Sequence, residues 1–562
     1  MKKSIRYVLM FLFTANIMIF SSCKQNTPAN SDDVTTESDT AENDTYKIDL
    51  SNFVTWDKNR DIFNPATGEL TLKEGWGGDV WFWYSGNYNY VEIKYKNSSF
   101  QFIVEVEYSD HTSTKIMCKK NANVAYIKLE PKKVNAIKIQ KKNIDDFSVV
   151  IESVALVQKK SVNGTNIEQI VDKKEGNFNS SITAIDLVKQ MKVGWNLATA
   201  LEADPLFGWE ESPTAPLDYV RSLGNETELC WGNPYTTKEL INFPKSQGYS
   251  SIRIPVTWYT HIIDDKYTID PEWMARVKEI VDWSIEAGYY VILNSHHDVD
   301  SNTVSPLRKT SGYIVKNDET DIAESKRFLK AVWTQIATAF NGSYDEHLIF
   351  EVMNEPRNNQ HEHEWQPGVK LVWMDSSKCE ECIADYKILN EYNQLCLDTI
   401  RASGGNNANR FVMIPSMCAE QETALSNYFE LPKDTAQNKL ILSVHDYALG
   451  SVPELAEKTF SSQIKQNLAN SYSQLNKKFI KKGIPVVVGE TAALREFISK
   501  QERIKWISYL SKLTSNYGIP IMYWDAPTAV GSNYYFDQID RRNLRFIEPD
   551  FVQAMLDNWE CE

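Results

Sequence analysis

Hydrophobic positions change their rhythm several times along this chain, and each change marks a boundary. A positive start (Lys2, Lys3, Arg6) leads into a short apolar run from Tyr7 to Phe20, followed by Ser21, Ser22 and Cys23. The run is too short to span a bilayer comfortably and reads as an export leader over residues 1–22. Small residues just before a cysteine resemble a bacterial lipobox, which makes Cys23 the expected lipid-attachment residue of an envelope-anchored protein. Phe20 stands where leucine is usual. Residues 23–45 are polar, acidic and almost free of apolar side chains, as in KQNTPANSDDVTTESDTAENDT. Such a stretch cannot bury enough apolar surface to offset chain entropy, so it reads as a disordered tether.

From 46 to 158 the apolar positions alternate with period two: VEIKYK (91–96), FIVEVEY (102–108), AYIKLE (125–130), AIKIQ (136–140) and VVIESVALV (149–157). Turn residues separate these runs and no helical pattern interrupts them, which predicts an all-β, jelly-roll-like sandwich. Trp76, Trp81, Trp83, Tyr84, Tyr88 and Tyr90 crowd one short span. Period two puts Trp81 and Trp83 on one face, as a sugar-stacking platform if exposed or as core if buried. Residues 159–181 are polar and read as a linker.

Over 182–562 short apolar runs alternate with amphipathic stretches. The strand candidates are 192–197, 251–256, 290–295, 348–353, 410–415, 440–445, 485–490 and 520–525. Helical patterns, such as 271–288 and 324–340, lie between most of them. Near-continuous apolar strands are what a sheet covered on both faces needs, and eight strand–helix units predict a (β/α)8 TIM barrel of the α/β class. Polar residues gather where these strands end: Asn196, Arg253, His296, Asn354, Glu355, His445, Glu490 and Trp524. In such a barrel the C-terminal strand ends build the active site.

Composition narrows the chemistry. A net charge of −15 and a pI near 5.2 leave no basic excess to neutralise phosphates, which excludes nucleic acid and anionic membrane surfaces as partners; the expected membrane contact is the lipid anchor alone. Sixteen tryptophans and 27 tyrosines suit a polysaccharide, whose rings stack on flat apolar faces. Beyond Cys23 there are seven cysteines, at 118, 230, 379, 382, 396, 418 and 561, so they cannot all pair within one chain. Cys379-Glu380-Glu381-Cys382 has metal-like spacing and His361 and His363 lie upstream, but no second pair follows at finger spacing. A local disulfide or plain thiols is the expected state, with no metal and no organic cofactor.

Two carboxyl groups flanking a glycosidic bond suffice to hydrolyse it: one protonates the leaving oxygen, the other attacks the anomeric carbon or activates water. Glu355 follows the fourth strand in Asn354-Glu355-Pro356, and Glu490 ends the seventh in Val488-Gly489-Glu490. The bland alternative is a pair of capping glutamates. The neighbours suit the chemical reading. Asn354 could hold a sugar 2-hydroxyl. Arg253 and Tyr447 could keep one carboxylate ionised, and His296 and His445 could orient carboxylates or bind hydroxyls. Trp524 offers a floor for the reacting ring. The acid must be protonated at rest, and loss of charge on Glu490 would let it switch to a base.

Residues 182–560 resemble glycoside hydrolase family 5, most of all its subfamily 4. The resemblance rests on Gly194-Trp195-Asn196-Leu197, Glu228-Leu229-Cys230-Trp231-Gly232-Asn233-Pro234, Ile252-Arg253-Ile254-Pro255-Val256-Thr257-Trp258 and Ile292-Leu293-Asn294-Ser295-His296-His297-Asp298. Ile349-Phe350-Glu351-Val352-Met353-Asn354-Glu355-Pro356-Arg357, His445-Asp446-Tyr447 and Val487-Val488-Gly489-Glu490 complete it. It implies retention, with Glu355 as acid/base and Glu490 as nucleophile, and a sugar site formed by Asn196, Arg253, His296, His297, Asn354, His445, Tyr447 and Trp524. It implies endo-hydrolysis of cellulose-type glucan, mixed-linkage β-glucan or xyloglucan. Mannan hydrolysis, a non-catalytic glycan-binding lipoprotein, and an adhesin based on the sandwich are the alternatives. The chain departs from the family after strand one, where Asn-Leu-Gly-Asn-Thr-Leu-Asp is usual. Here Asn196-Leu197-Ala198-Thr199-Ala200-Leu201-Glu202 lacks an amide at Thr199, which points to altered distal sugar sites. The long segment 358–382 carries Trp365 and Trp373 as platform or loop-packing residues.

Overall fold

The computed structural model describes residues 45–559, except 58–59, 74–76, 85–87, 89, 111, 119–122, 130–131, 142–145, 158–168, 204–222, 300–311, 370–374, 452–454 and 528–535. The leader, Cys23, nearly all of the tether, Trp76 and Trp373 lie outside the described residues. The chain forms two compact units.

The first unit holds strands β1 (Thr45–Lys47), β2 (Val54–Thr55), β3 (Ile62–Asn64), β4 (Glu69–Leu72), β5 (Gly77–Tyr84), β6 (Tyr90–Lys96), β7 (Phe102–Tyr108), β8 (Ser113–Cys118), β9 (Val124–Lys128), β10 (Val134–Lys141) and β11 (Phe147–Val157). They make two antiparallel sheets. One runs β3-β4-β11-β6-β9 with β1 beside β11, and the other β2-β5-β10-β7-β8. Val91 and Ile93 of β6 share a buried cluster with Val104 and Val106 of β7, so the two sheets face each other across one core. The five predicted strands are present. The others escaped the period-two pattern because β1 to β4 are only two to four residues long, β5 opens on Gly-Gly-Asp, and β8 ends in the unbroken buried run Ile116-Met117-Cys118. Trp81 is not core: it is 54% exposed, while its neighbour Val80 fills the interior.

The second unit is a closed barrel of eight parallel strands: β12 (Val193–Leu197), β13 (Ser251–Ile254), β14 (Tyr290–Asn294), β15 (Leu348–Glu351), β16 (Val412–Pro415), β17 (Leu440–Asp446), β18 (Val486–Thr491) and β19 (Ile521–Asp525). Each begins within two residues of its predicted start. The helices named here are α1 (Ala184–Met191), α2 (Lys238–Ser246), α3 (Pro271–Glu286), α4 (Glu319–Ala339) and α5 (Glu380–Ala402). Helix α3 opens on Pro271 after the Asp270 cap, the position at which a missing N–H costs nothing.

The alternation hidden in these all-apolar strands is real. Ile252, Leu293, Phe350 and Leu442 point outward into one cluster with the helices. Ile292, Ile349, Met413, Ile441, Val487 and Met522 point inward and pack on Ala184, Leu187, Val188 and Met191 of α1, which plugs the barrel floor. Full burial of each such side chain contributes about 1.5–3 kcal/mol. Gly194 leaves room for this layer, since a Cβ there would lie 2.2 Å from the Met522 sulfur. Residues 169–181, read as linker, lie against this unit: Asp172 accepts the N–H groups of Asn341 and Ser343, and Phe178 packs on Phe411.

Candidate active site

Above the apolar floor the inward positions turn polar, and one arginine organises them. Arg253 of β13 is wholly buried. Its Nε donates to Glu351 Oε2 at 2.7 Å and its Nη2 to Asn354 Oδ1 at 2.6 Å. Its Nη1 donates to Glu490 Oε1 at 2.8 Å and to Asn196 Oδ1 at 3.0 Å. A buried guanidinium needs such pairing, because an uncompensated charge in the interior costs several kcal/mol. Glu351 is the carboxylate that sequence reading quoted but gave no role. It also accepts Ser443 Oγ at 2.5 Å and Asn294 Nδ2 at 3.1 Å. Its signal was a charge inside an apolar strand, LIFEVM, on the same period-two face as Ile349.

Glu490 reaches the same centre through a bulge. Strand β18 carries one extra residue, Gly489, between the pairs Val444–Val488 and His445–Glu490. Bulges re-aim the next side chain, and the carbonyl of Gly489 is taken by Asn196 Nδ2 at 3.0 Å. A Cβ on Gly489 would sit 3.3 Å from His445 Nε2. Asn196 is thus consumed by the protein: it is 0% exposed and bonds Arg253, Gly489 and the carbonyls of Met522 and Tyr523. Expected among sugar-binding residues, Asn196 and Arg253 hold the carboxylates in place from behind.

The remaining predicted residues meet around the two glutamates. Tyr447 donates to Glu490 Oε2 at 2.7 Å. His445 Nδ1 lies 2.8 Å from Glu355 Oε1 and 3.6 Å from Glu490 Oε2. One oxygen each of Glu355 and Glu490 and a nitrogen of His445 lie within 4.8 Å of one another. Burial alone would lift the Glu355 carboxyl, but the hydrogen bond and charge of His445, with Arg357, hold it below the usual range. Burial likewise opposes charge on His445, and the Glu490 and Glu355 carboxylates outweigh it and raise its affinity for a proton. Both shifts favour the imidazole over the carboxyl as the holder of a proton shared by this pair.

His296 is neutral: burial, then His297, Arg253 and His445, push it well below its usual value. Asn294 Nδ2 donates to its Nδ1 at 3.1 Å, which leaves the proton on Nε2, 3.9 Å from Glu490 Oε1. His296 stacks on Trp524 with ring centroids 5.4 Å apart and meets His297 edge-on at 4.5 Å. His297 in turn lies 5.8 Å from the Trp231 ring. Trp524 itself is half-buried.

Arg357, also unassigned from sequence, ties Glu355 to the loop that follows it. Its Nη1 donates to the Glu355 carbonyl at 2.9 Å, its Nε to Glu364 at 2.8 Å, and its guanidinium lies 4.2 Å from the Trp365 ring centre. One face of Trp365 is therefore occupied by protein.

After β12, Thr199 takes a left-handed φ of 57°, unusual for a β-branched residue. Asn233 Nδ2 donates to both Thr199 O, at 2.5 Å, and Thr199 Oγ1, at 2.6 Å. Glu202 accepts the N–H of Ala200 at 3.1 Å and that of Thr199. Thr199 thus offers both its oxygens to the Asn233 amide.

Comparison with known proteins agrees with this arrangement. The family description "Cellulase (glycosyl hydrolase family 5)" matches residues 215–529. Over 375 residues the chain is 36% identical to Endoglucanase 1 of Ruminococcus albus, covering 66% of this chain and 80% of that protein. It is 33% identical to Endoglucanase B of Neocallimastix patriciarum, covering 67% and 72%. Among solved structures, a GH5-4 broad-specificity endoglucanase from Ruminococcus champanellensis with bound cellotriose superposes with a TM-score of 0.56 at 32% identity, covering 67% of this chain and 98% of that one. A family 5 lichenase from Caldicellulosiruptor sp. F32, as a complex with cellotetraose, gives 0.59 at 30% identity, covering 70% and 100%.

Proposed function

Because the chain belongs to glycosyl hydrolase family 5, the cellulase family, we propose that it is a retaining endo-β-1,4-glucanase with Glu490 as nucleophile and Glu355 as acid/base. The observation that carries this reading is the separation of the two carboxyl groups. Oxygens within 4.8 Å leave no room for the water that an inverting pair, about 6.5–9.5 Å apart, places between them.

The surroundings divide the roles. Arg253 and Tyr447 each donate to one oxygen of Glu490, which fits a carboxylate that must attack. Glu355 shares a proton with His445, whose proton affinity is raised chiefly by the Glu490 charge. When Glu490 forms its bond to the anomeric carbon, that charge is neutralised. The proton then passes through Glu355 to the leaving oxygen as the glycosidic bond breaks. In the second step Glu355 and His445 take a proton from water as it attacks the same carbon and frees Glu490. Asn354, its Oδ1 taken by Arg253, presents its amide hydrogens for the 2-hydroxyl, and Trp524 underlies the ring.

For substrate we infer cellulose-type and mixed-linkage β-glucan, in keeping with the cellotriose and cellotetraose complexes of the similar enzymes, and include xyloglucan. The sandwich, with Trp56 45% and Trp81 54% exposed, serves as an accessory glycan-binding surface. The leader and Cys23 support export and lipid anchoring to the envelope. The test is reducing-sugar release from carboxymethyl-cellulose, barley β-glucan, xyloglucan and glucomannan, with product anomers followed by NMR. Release with retained β configuration, lost roughly 10⁴-fold or more in Glu490→Gln, is expected. Inverted products, or turnover that survives in Glu490→Gln, would overturn the assignment, and release from glucomannan alone would turn it to mannan.

A further inference from the structure

Four side chains with soft and borderline ligand atoms converge where the loop after β15 meets α5, as a group distinct from Glu355, His445 and Glu490. Cys379 Sγ lies 3.6 Å from His361 Nε2, and Cys382 Sγ lies 3.4 Å from His363 Nδ1 and 3.9 Å from His361 Nδ1. One ligand atom from each of the four lies within 4.8 Å of the others. A tetrahedral zinc ion, with Zn–S of about 2.3 Å and Zn–N of about 2.0–2.1 Å, needs sulfur–nitrogen separations of about 3.6 Å, and the two distances from Cys382 Sγ to the Nδ1 atoms bracket that value. Two cysteines meeting by chance leave no reason for two imidazoles to close the same tetrahedron.

We propose that His361, His363, Cys379 and Cys382 form a structural zinc site. The donor set is thiolate and imidazole, which selects zinc over calcium or magnesium. Four protein ligands leave no open position, so the site is structural and not catalytic. The cysteines are unbridged, and they occupy the cap and the third residue of α5, where the helix terminus favours negative charge. His361 has an outer partner too: its Nε2 is 3.3 Å from the Glu381 carboxylate. Its Nδ1 now accepts the His363 N–H at 2.9 Å. On binding, that lone pair passes to the metal, and Nε2 carries its proton toward Glu381. The two thiols release their protons, so two thiolates balance the dication.

The ion would pin a loop that touches the catalytic centre. Between the histidine and cysteine pairs run Glu364 and Trp365, which clasp Arg357 beside Glu355. The Cys418 thiol, on the next strand's loop, donates to the Glu364 carbonyl at 3.0 Å. Closing about twenty residues between His361 and Cys382 on one ion fixes this clasp without a disulfide.

The test is metal analysis of the full chain, purified without chelator, alongside Cys379→Ser/Cys382→Ser and His361→Ala/His363→Ala. One zinc per wild-type chain is expected, and none in either double variant. Cobalt substitution should give thiolate charge-transfer bands and the intense d–d absorption of a tetrahedral site. Chelation of the wild type should lower Tm by several degrees and speed amide exchange in residues 358–369 without changing exchange in the barrel strands. Because chelation acts on the wild type, a variant that fails to fold does not cloud the result. Reduced wild-type protein that takes up no zinc, zinc retained by the double cysteine variant, or a Cys379–Cys382 disulfide in the purified protein would overturn the site.

Discussion

Both units of this protein are built of β-strands around an apolar core, yet they treat charge in opposite ways. In the sandwich, the charged pairs lie on outer faces, Lys138 with Glu107 at 2.5 Å and Lys96 with Glu152 at 2.6 Å across neighbouring strands, and only a few charges among the described residues, such as Asp61 and Lys141, are buried. Its interior among the described residues is a single apolar cluster. In the barrel the interior is apolar only at the floor. One layer higher it holds Arg253, Glu351, Asn294 and Asn196, all at 0% exposure. A layer of buried polar groups is costly to desolvate and must be fully paired, so it weakly serves stability and strongly fixes geometry. What it fixes here is the placement of Glu490 and Asn354. The sandwich has no such demand, and its outer charges are tolerant of change.

The largest test of that contrast is to remove one charge from each unit. Glu351→Ala strips Arg253 of a partner and leaves a buried cation short of compensation, which should cost roughly 3–5 kcal/mol. Glu152→Ala removes one end of an exposed pair and should cost about 1 kcal/mol or less. Urea unfolding of each variant, read against wild type, measures both. The barrel variant should also lose activity on barley β-glucan, because Arg253 then positions Glu490 less firmly. Equal and small losses would break the comparison and make the polar layer a passive filling.

How far these features could be read in the sequence follows from the same contrast. The eight barrel strands were legible because burial on both faces makes them continuous apolar runs, and the residues at their ends were legible as polar interruptions. Which of those interruptions face sugar was not. Asn196 and Glu490 look alike as polar strand residues, and only the bulge at Gly489 shows that one braces the other. Glu351 and Asn294 were hidden inside motifs because their partners lie on other strands, far away in sequence. In the sandwich the long alternating strands were legible, whereas β2 and β3, only two and three residues long, carry too little pattern. Trp81 was ambiguous from periodicity, since period two assigns residues to a common face without saying which face is inside.

The next effect in size concerns the shared proton. His445, raised above its ordinary 6.5, keeps its proton as pH rises past that value, so the pair stays able to supply an acid in neutral solution. His445→Asn leaves Glu355 alone with that task. The alkaline limb of kcat/KM should move toward acid, and activity at neutral pH should fall by about 10²-fold or more, within the range of general acid–base contributions. An unmoved limb would place the proton on Glu355 by itself. Smaller again is Trp81→Ala, which removes an exposed ring from the sandwich. Retention on insoluble glucan should weaken by up to about tenfold, as the loss of one stacking contact implies, with kcat on soluble β-glucan unchanged. Unchanged retention would remove Trp81 from any binding surface.

The smallest effect sharpens the comparison inside the barrel itself, at Thr199. A left-handed backbone costs a β-branched residue about 1–2 kcal/mol, and asparagine tolerates it better. Against that gain stands the Thr199 Oγ1 contact with Asn233, 2.6 Å long and buried. An asparagine Oδ1 could accept the same amide, so Thr199→Asn should be net stabilising by up to about 1 kcal/mol, seen as a rise of roughly 2–4 °C in Tm. Thr199→Ala keeps the unfavourable φ and loses the acceptor, so it should be destabilising. If asparagine destabilises as much as alanine, then Asn233 is matched to the threonine hydroxyl specifically, and the strand-one loop has been rebuilt as a pair rather than weakened at one position.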